Sequence, residues 1–266
     1  PPPEPDSPSP VVSMGPARLR SLCFNGKGSE CEAWALRSTP ASLSPCFKAK
    51  HLRSHSKSIT AVKMSRAPSS MAAFLVGGRR QGKGVVTYAN GNVYTGNFDQ
   101  DQRHGQGVFT GKDGYNYAGS WQNGKIFGQG RAEYPDGTVY EGTFAADLPD
   151  GVGKIVYPNG ETYDGEWSGG TINGMGTATY PNGAIYVGQF KDTRYHGQGM
   201  MTWPSGQKYV GGFKDNLRHA QGTLTWPDGR KLVGEFISDQ PWTGILYDSN
   251  GNVFSKYQDG VEIKQE

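Results

Sequence analysis

The sequence predicts an all-β protein: a single elongated antiparallel sheet of stacked β-hairpin repeats over residues 71–266, preceded by a disordered tail over residues 1–70. Three observations carry that expectation. A tyrosine returns every 23 residues, side chains alternate with period two around a recurrent glycine turn, and the first 70 residues show neither pattern.

The repeat is the first element to justify. Tyr94, Tyr117, Tyr140, Tyr163, Tyr186 and Tyr209 keep the 23-residue spacing without a slip, and Leu232 takes the next place. Glycine pairs keep step with them, from Gly82/Gly84 and Gly105/Gly107 to Gly197/Gly199, with Ala220/Gly222 one period later. A turn signal recurs in phase as PDG at 135–137, PNG at 158–160 and 181–183, PSG at 204–206 and PDG at 227–229. Before residue 94 and after Trp242 the pattern decays, as expected where a repeat stack must be capped.

Side-chain parity then separates strand from helix, because residues two apart share one face of a strand. Gly151, Gly153, Ile155 and Tyr157 fall on one face; after the turn, Tyr163, Gly165 and Trp167 share a face while Thr162, Asp164 and Glu166 share the other. Asn-Gly and Asp-Gly tolerate the positive φ of tight turns, so the unit reads as strand, turn, strand, loop. With 40 Gly and 17 Pro in 266 residues, no long helical pattern survives in the array. A single hairpin has too few large apolar side chains to offset the cost of ordering its backbone, so neighbouring units must stack. At about 4.8 Å per strand, seven hairpins give a sheet about 70 Å long.

These residues resemble the MORN-repeat family, whose unit centres on Tyr-x-Gly-x-Trp/Phe followed by Gly-x-Gly. The chain carries YTGNF at 94–98, YAGSW at 117–121, YEGTF at 140–144, YDGEW at 163–167, YVGQF at 186–190, YVGGF at 209–213 and LVGEF at 232–236. The family's frequent His-Gly-x-Gly stands as HGQG at 104–107 and 196–199, while other units put Phe127, Asp150 or Asn173 in the histidine's place. The resemblance implies a scaffold that binds helical or extended peptides along an aromatic-lined groove, or one with membrane or cytoskeletal association. It also implies a third setting, in which the array is the regulatory part of an enzyme such as a phosphatidylinositol phosphate kinase.

A single sheet lacks a second layer to cover its apolar face. The expected partner-binding stripe is therefore Tyr94, Phe98, Tyr117, Trp121, Tyr140, Phe144, Tyr163, Trp167, Tyr186, Phe190, Tyr209 and Phe213, spaced by glycines that admit another backbone. The expected occupant is a helical or extended protein segment, with a second copy of the chain among the candidates and nucleic acid not expected.

The tail differs in charge. Residues 1–80 hold 12 Lys/Arg against four Asp/Glu and residues 81–266 hold 15 against 20, so a tail of +8 adjoins an array of -5. Its opening, PPPEPDSPSP, is Pro- and Ser-rich with few periodic apolar residues, the composition of a disordered segment. Such a tail suits contact with an anionic membrane surface, and its basic, Ser-rich stretch leaves organelle targeting open. Cys23, Cys31 and Cys46 all lie in it, so no disulfide framework is expected in the array, and a cytoplasmic location is favoured.

Enzyme chemistry finds little footing. The three cysteines with His51 and His55 lack the close spacing of a zinc site. GGRRQGKG at 77–84 nearly matches a phosphate loop, but Gly84 stands where the magnesium-holding hydroxyl belongs. The expectation is a non-catalytic scaffold without metal or cofactor.

Overall fold

The computed structural model describes residues 60–65 and 70–264, and within them every regular element is a strand. In chain order these are β1 (Thr60–Ser65), β2 (Ser70–Val76), β3 (Arg79–Thr87), β4 (Val93–Asp99), β5 (Gln102–Thr110), β6 (Asn116–Gln122) and β7 (Lys125–Glu133). Next come β8 (Val139–Ala145), β9 (Leu148–Val156), β10 (Thr162–Ser168), β11 (Thr171–Thr179), β12 (Ile185–Lys191) and β13 (Arg194–Thr202). The last six are β14 (Lys208–Lys214), β15 (Leu217–Thr225), β16 (Lys231–Ile237), β17 (Gln240–Tyr247), β18 (Val253–Gln258) and β19 (Val261–Lys264). Hydrogen-bond registers join each strand antiparallel to the next, so the chain is one open meander edged by β1 and β19. The tail expected over 1–70 falls mostly outside the described residues, as do Cys23, Cys31, Cys46, His51 and His55; its part at Thr60–Ser65 is the edge strand β1.

Two kinds of turn alternate, and the tighter kind is the connection that the sequence reading treats as a loop. Gln100–Asp101, Ala146–Asp147 and Asp192–Thr193 are two-residue turns with both φ angles positive, between 48° and 73°, the type I′ geometry that matches strand twist. The PDG and PNG segments make the wider turns instead. At 134–138, Tyr134 N donates to Thr138 O at 2.8 Å, Gly137 N to Tyr134 O at 2.9 Å, and Thr138 N to the Asp136 side chain at 2.9 Å. Only Gly137 has positive φ there, 88°. Asp136 is chosen for its acceptor oxygen, and Pro135 sits inside the turn, where a fixed φ suits the position after Tyr134. GGRRQGKG is likewise a tight turn at Gly77–Gly78 followed by β3, with Gly82 at φ 75°.

Tight turns also clamp one repeat to the one before. Asp147 N donates to Ile126 O at 3.1 Å while Ile126 N donates back to Asp147 Oδ1 at 2.8 Å. Asp101 with Arg80, Asn216 with Tyr195 and Asp239 with Arg218 repeat the reciprocal pair.

Each nine-residue strand is kinked by a bulge. In the β8–β9 hairpin, Gly142 pairs with Gly153 but Phe144 pairs with Pro149, so Asp150, Gly151 and Val152 together oppose Thr143. Gly151 takes φ 93°, which lets the strand change direction. Thr143 fills the gap, its Oγ1 donating to Val152 O at 2.9 Å and accepting from Val152 N at 3.2 Å.

That kink supplies the cover that a single sheet was expected to lack. Beyond the bulge, the early residues of the long strands fold over the inner face: Ile126 and Ile172 are buried, Tyr195 stacks on Tyr186, and the Arg103 guanidinium lies 4.2 Å from the Trp121 ring centre. The Tyr195 hydroxyl, from the start of β13, meets the Tyr180 hydroxyl, just past the end of β11. By register Tyr195 stands level with Gly174, six residues before Tyr180, so in a flat sheet the two would lie about 20 Å apart along the strand direction. The strand starts therefore fold back far enough for side chains from the two rims to meet.

Candidate functional site

The structure brings all twelve rings of the expected stripe into one column. Tyr94 meets Phe98 of its own repeat at 5.1 Å and Trp121 of the next at 5.3 Å, both edge-to-face; Tyr117 meets Trp121 and Phe144 in the same way. The zigzag continues unbroken through Tyr140, Trp167, Tyr163, Phe190, Tyr186, Phe213 and Tyr209 to Phe236. Edge-to-face packing places the positive rim of one ring on the negative face of the next.

Glycine is what lets the column form. Each tyrosine lies down over a glycine pair: a Cβ on Gly153 would stand 2.2 Å from Tyr140 Oη, and one on Gly142 would stand 2.4 Å from Gly153 Cα. Lying flat, the hydroxyl reaches the backbone carbonyl three residues on. Tyr94 donates to Asn97 O at 2.9 Å, Tyr140 to Thr143 O at 2.9 Å, Tyr163 to Glu166 O at 2.9 Å and Tyr209 to Gly212 O at 3.1 Å. Burial raises the pKa of every tyrosine in the column, that of Tyr94 to about 12 despite the opposing charge of Arg103.

Burial corrects the expectation of an open aromatic groove. None of the twelve rings is more than 6% exposed, because neighbouring repeats and the folded-over strand starts cover both sides of the column. In this arrangement they are the spine of the array and present no face to a visitor.

A second aromatic row ends the face that the sequence assigns to Gly151, Gly153, Ile155 and Tyr157, and it keeps partial exposure. Tyr134, Tyr157, Tyr180, Trp203 and Trp226 precede the wide turns, one per repeat, and each is partly buried against the core. Beside them the turns stack: Gly137 lies against Pro158, Gly160 against Pro181, Gly183 against Pro204 and Gly206 against Pro227, with Gly183 close enough that its Cβ would meet Pro204 Cγ at 3.3 Å. The signal was present in the recurrent aromatic-Pro pairs YP and WP.

A family model described as MORN repeat matches seven stretches, 75–93, 94–114, 117–139, 140–162, 163–185, 186–208 and 209–229, together more than half of the chain. The chain belongs to the MORN-repeat family. No curated protein matches the MORN array in sequence. Among solved structures it is similar to the TCP domain of SAS-4 (dCPAP) in complex with a proline-rich motif of Ana2 (dSTIL) from Drosophila melanogaster, at 14% identity and a TM-score of 0.38, over 73% of this chain and 99% of that one. Virginiamycin B lyase from Staphylococcus aureus, 13% identical, aligns over 75% of this chain and 68% of its own with a TM-score of 0.16. A streptogramin B lyase, 9% identical, aligns over 81% and 86% with a TM-score of 0.17. None of the three reaches a TM-score of 0.5, and none bears on what this MORN array binds.

Proposed function

We propose that this MORN array is a non-catalytic scaffold that holds an extended segment of a partner protein along the half-buried row Tyr134, Tyr157, Tyr180, Trp203 and Trp226. One observation carries the reading: a large aromatic side chain, packed on the core yet only partly buried, recurs once per hairpin beside a stack of turn prolines. Successive hairpins repeat about every 9.6 Å, two strand spacings.

That pitch selects the form of the partner. A polyproline-type segment returns the same side every three residues, about 9.3 Å, and stays within about 1 Å of register over five rings. An α-helix returns its face every seven residues, about 10.5 Å, and drifts by about 4 Å over the same span. Aromatic grooves that recognise proline-rich segments exploit the preformed, low-entropy backbone.

The test is a peptide array carrying proline-rich extended peptides beside amphipathic helical ones, probed with the wild-type chain and a W203A/W226A variant. Binding of the proline-rich set, lost in the variant while its melting temperature stays within a few degrees of wild type, supports the reading. Preference for the helical set, or equal binding by the variant, rules it out.

A further inference from the structure

The outer face of the sheet, opposite the aromatic column, carries one row of side chains at matched positions across successive strands. Its centre is Arg131 on β7, Glu141 on β8, Lys154 on β9 and Asp164 on β10, each the cross-strand partner of the next. All four are exposed. Continuing outward, the row turns apolar on both sides, through Ala118 to Val108 in one direction and Thr177 to Val187 in the other. Val108 is 46% and Val187 37% exposed.

The order of charges, plus, minus, plus, minus, has a particular symmetry. A second copy turned by 180° about an axis parallel to the strands and midway between β8 and β9 sets β8 on β9 of the other copy and β7 on β10. Every residue keeps its level along the strand. Glu141 then faces Lys154 of the second copy, Arg131 faces Asp164 of the second copy, and the two remaining contacts follow by symmetry. Val108 faces Val187 of the second copy on both flanks. An isologous contact requires a surface that complements itself in this way.

No neighbouring register does as well. An axis through β8 sets Glu141 on Glu141, and an axis between β9 and β10 sets Glu141 on Thr177 and Arg131 on Val187, stripping charges of water without return. Glu133, which pairs with Arg131 along its own strand at 2.5 Å, meets only Thr162 of the second copy. We infer that the outer face of β7–β10 is a homodimer interface, in which two copies pack back to back with their aromatic inner faces turned away from each other. The inference uses the face opposite the proposed peptide row and is independent of it.

Sedimentation velocity on the full chain tests it with two charge reversals. The wild type is expected to dimerise in the micromolar range, less tightly as salt rises. E141K alone sets Lys on Lys, and K154E alone sets Glu on Glu, so each is expected to raise the dimer Kd by about tenfold or more. An equimolar mixture of the two is expected to dimerise again, because each copy then meets its opposite. Glu141 and Lys154 are also neighbours within one copy, so the double variant E141K/K154E restores opposite charge to the 141–154 contact both within one copy and between copies, while setting the new lysine beside Arg131 and the new glutamate beside Asp164. It is expected to dimerise more tightly than either single variant even if a single variant folds poorly. A wild type that stays monomeric to about 100 μM, single variants as dimeric as wild type, or a double variant that stays monomeric would each overturn the inference.

Discussion

Tyr195 lies flat on Tyr186, ring centres 3.9 Å apart and planes 17° from parallel, although the two residues sit on neighbouring strands at different levels of the sheet. The contact exists because the long strand kinks, carrying its first residues back over the column. A sheet that covers itself needs no partner to stay folded. Replacing Tyr186 or Tyr163 by serine should therefore act on stability, costing about 3 to 5 kcal/mol each, the range for emptying a buried aromatic site. Thermal melting followed by circular dichroism checks this, and a fall of only a degree or two would show that the column is not the spine described here.

Two tyrosine hydroxyls of the same repeat offer a contrast. Tyr140 donates to Thr143 O, whereas the Tyr157 hydroxyl is buried and has no hydrogen-bond partner among the described residues. Tyr140→Phe should cost about 1 kcal/mol, and Tyr157→Phe should be neutral or stabilising by a similar amount. Urea titration of the two variants gives the comparison; equal losses would mean that Tyr157 finds a partner in solution.

Ala220 stands where the other repeats place the first glycine of the pair, and it holds φ 60°, a left-handed conformation that a Cβ makes costly. Ala220→Gly relieves that strain but adds freedom to the unfolded chain. The balance should be a gain of about 0.5 to 1 kcal/mol, visible as a higher urea midpoint with an unchanged slope. A lower midpoint would contradict the strained geometry.

Alkali should unfold the array. The column tyrosines titrate near 10 when unfolded and higher when folded, Tyr94 and Tyr209 at about 12, chiefly through burial. The folded state therefore holds more protons in that window, so the stability these groups contribute is complete below about pH 10 and is lost as pH rises through the folded values. A phenolate also cannot donate to the carbonyl that its hydroxyl now serves. Ultraviolet absorbance at the tyrosinate band and far-UV circular dichroism should change together above pH 10; tyrosines titrating near 10 with the fold intact would refute it.

Much of this was legible in the sequence because period two survives wherever the ladder is regular: Gly153, Ile155 and Tyr157 do share the inner face, and Tyr163 and Trp167 do meet on it. Reading failed at the bulge. Gly151 looks like one more alternating residue, yet its positive φ breaks the parity, so the placement of Ile126, Ile172 and Tyr195 over the column could not be counted out from spacing. Turn assignment failed for a related reason. Pro-Asn-Gly advertises a turn loudly, while Ala146–Asp147 and Asp192–Thr193 carry no glycine and adopt the tighter geometry because the strands on either side, and the clamp to the preceding repeat, impose it. The burial of the twelve rings was not legible, since composition marks which residues are aromatic but not which are already occupied by one another.

The zigzag of rings has a mechanical consequence. Every tyrosine grips only its own repeat and the next, and the strands run across the length of the rod, so tension applied between its two ends would load one hairpin at a time. Such an array should yield in a train of similar small steps from its edges inward, and re-form in the same order when slack returns, behaving as an extensible tether with a memory of its own length.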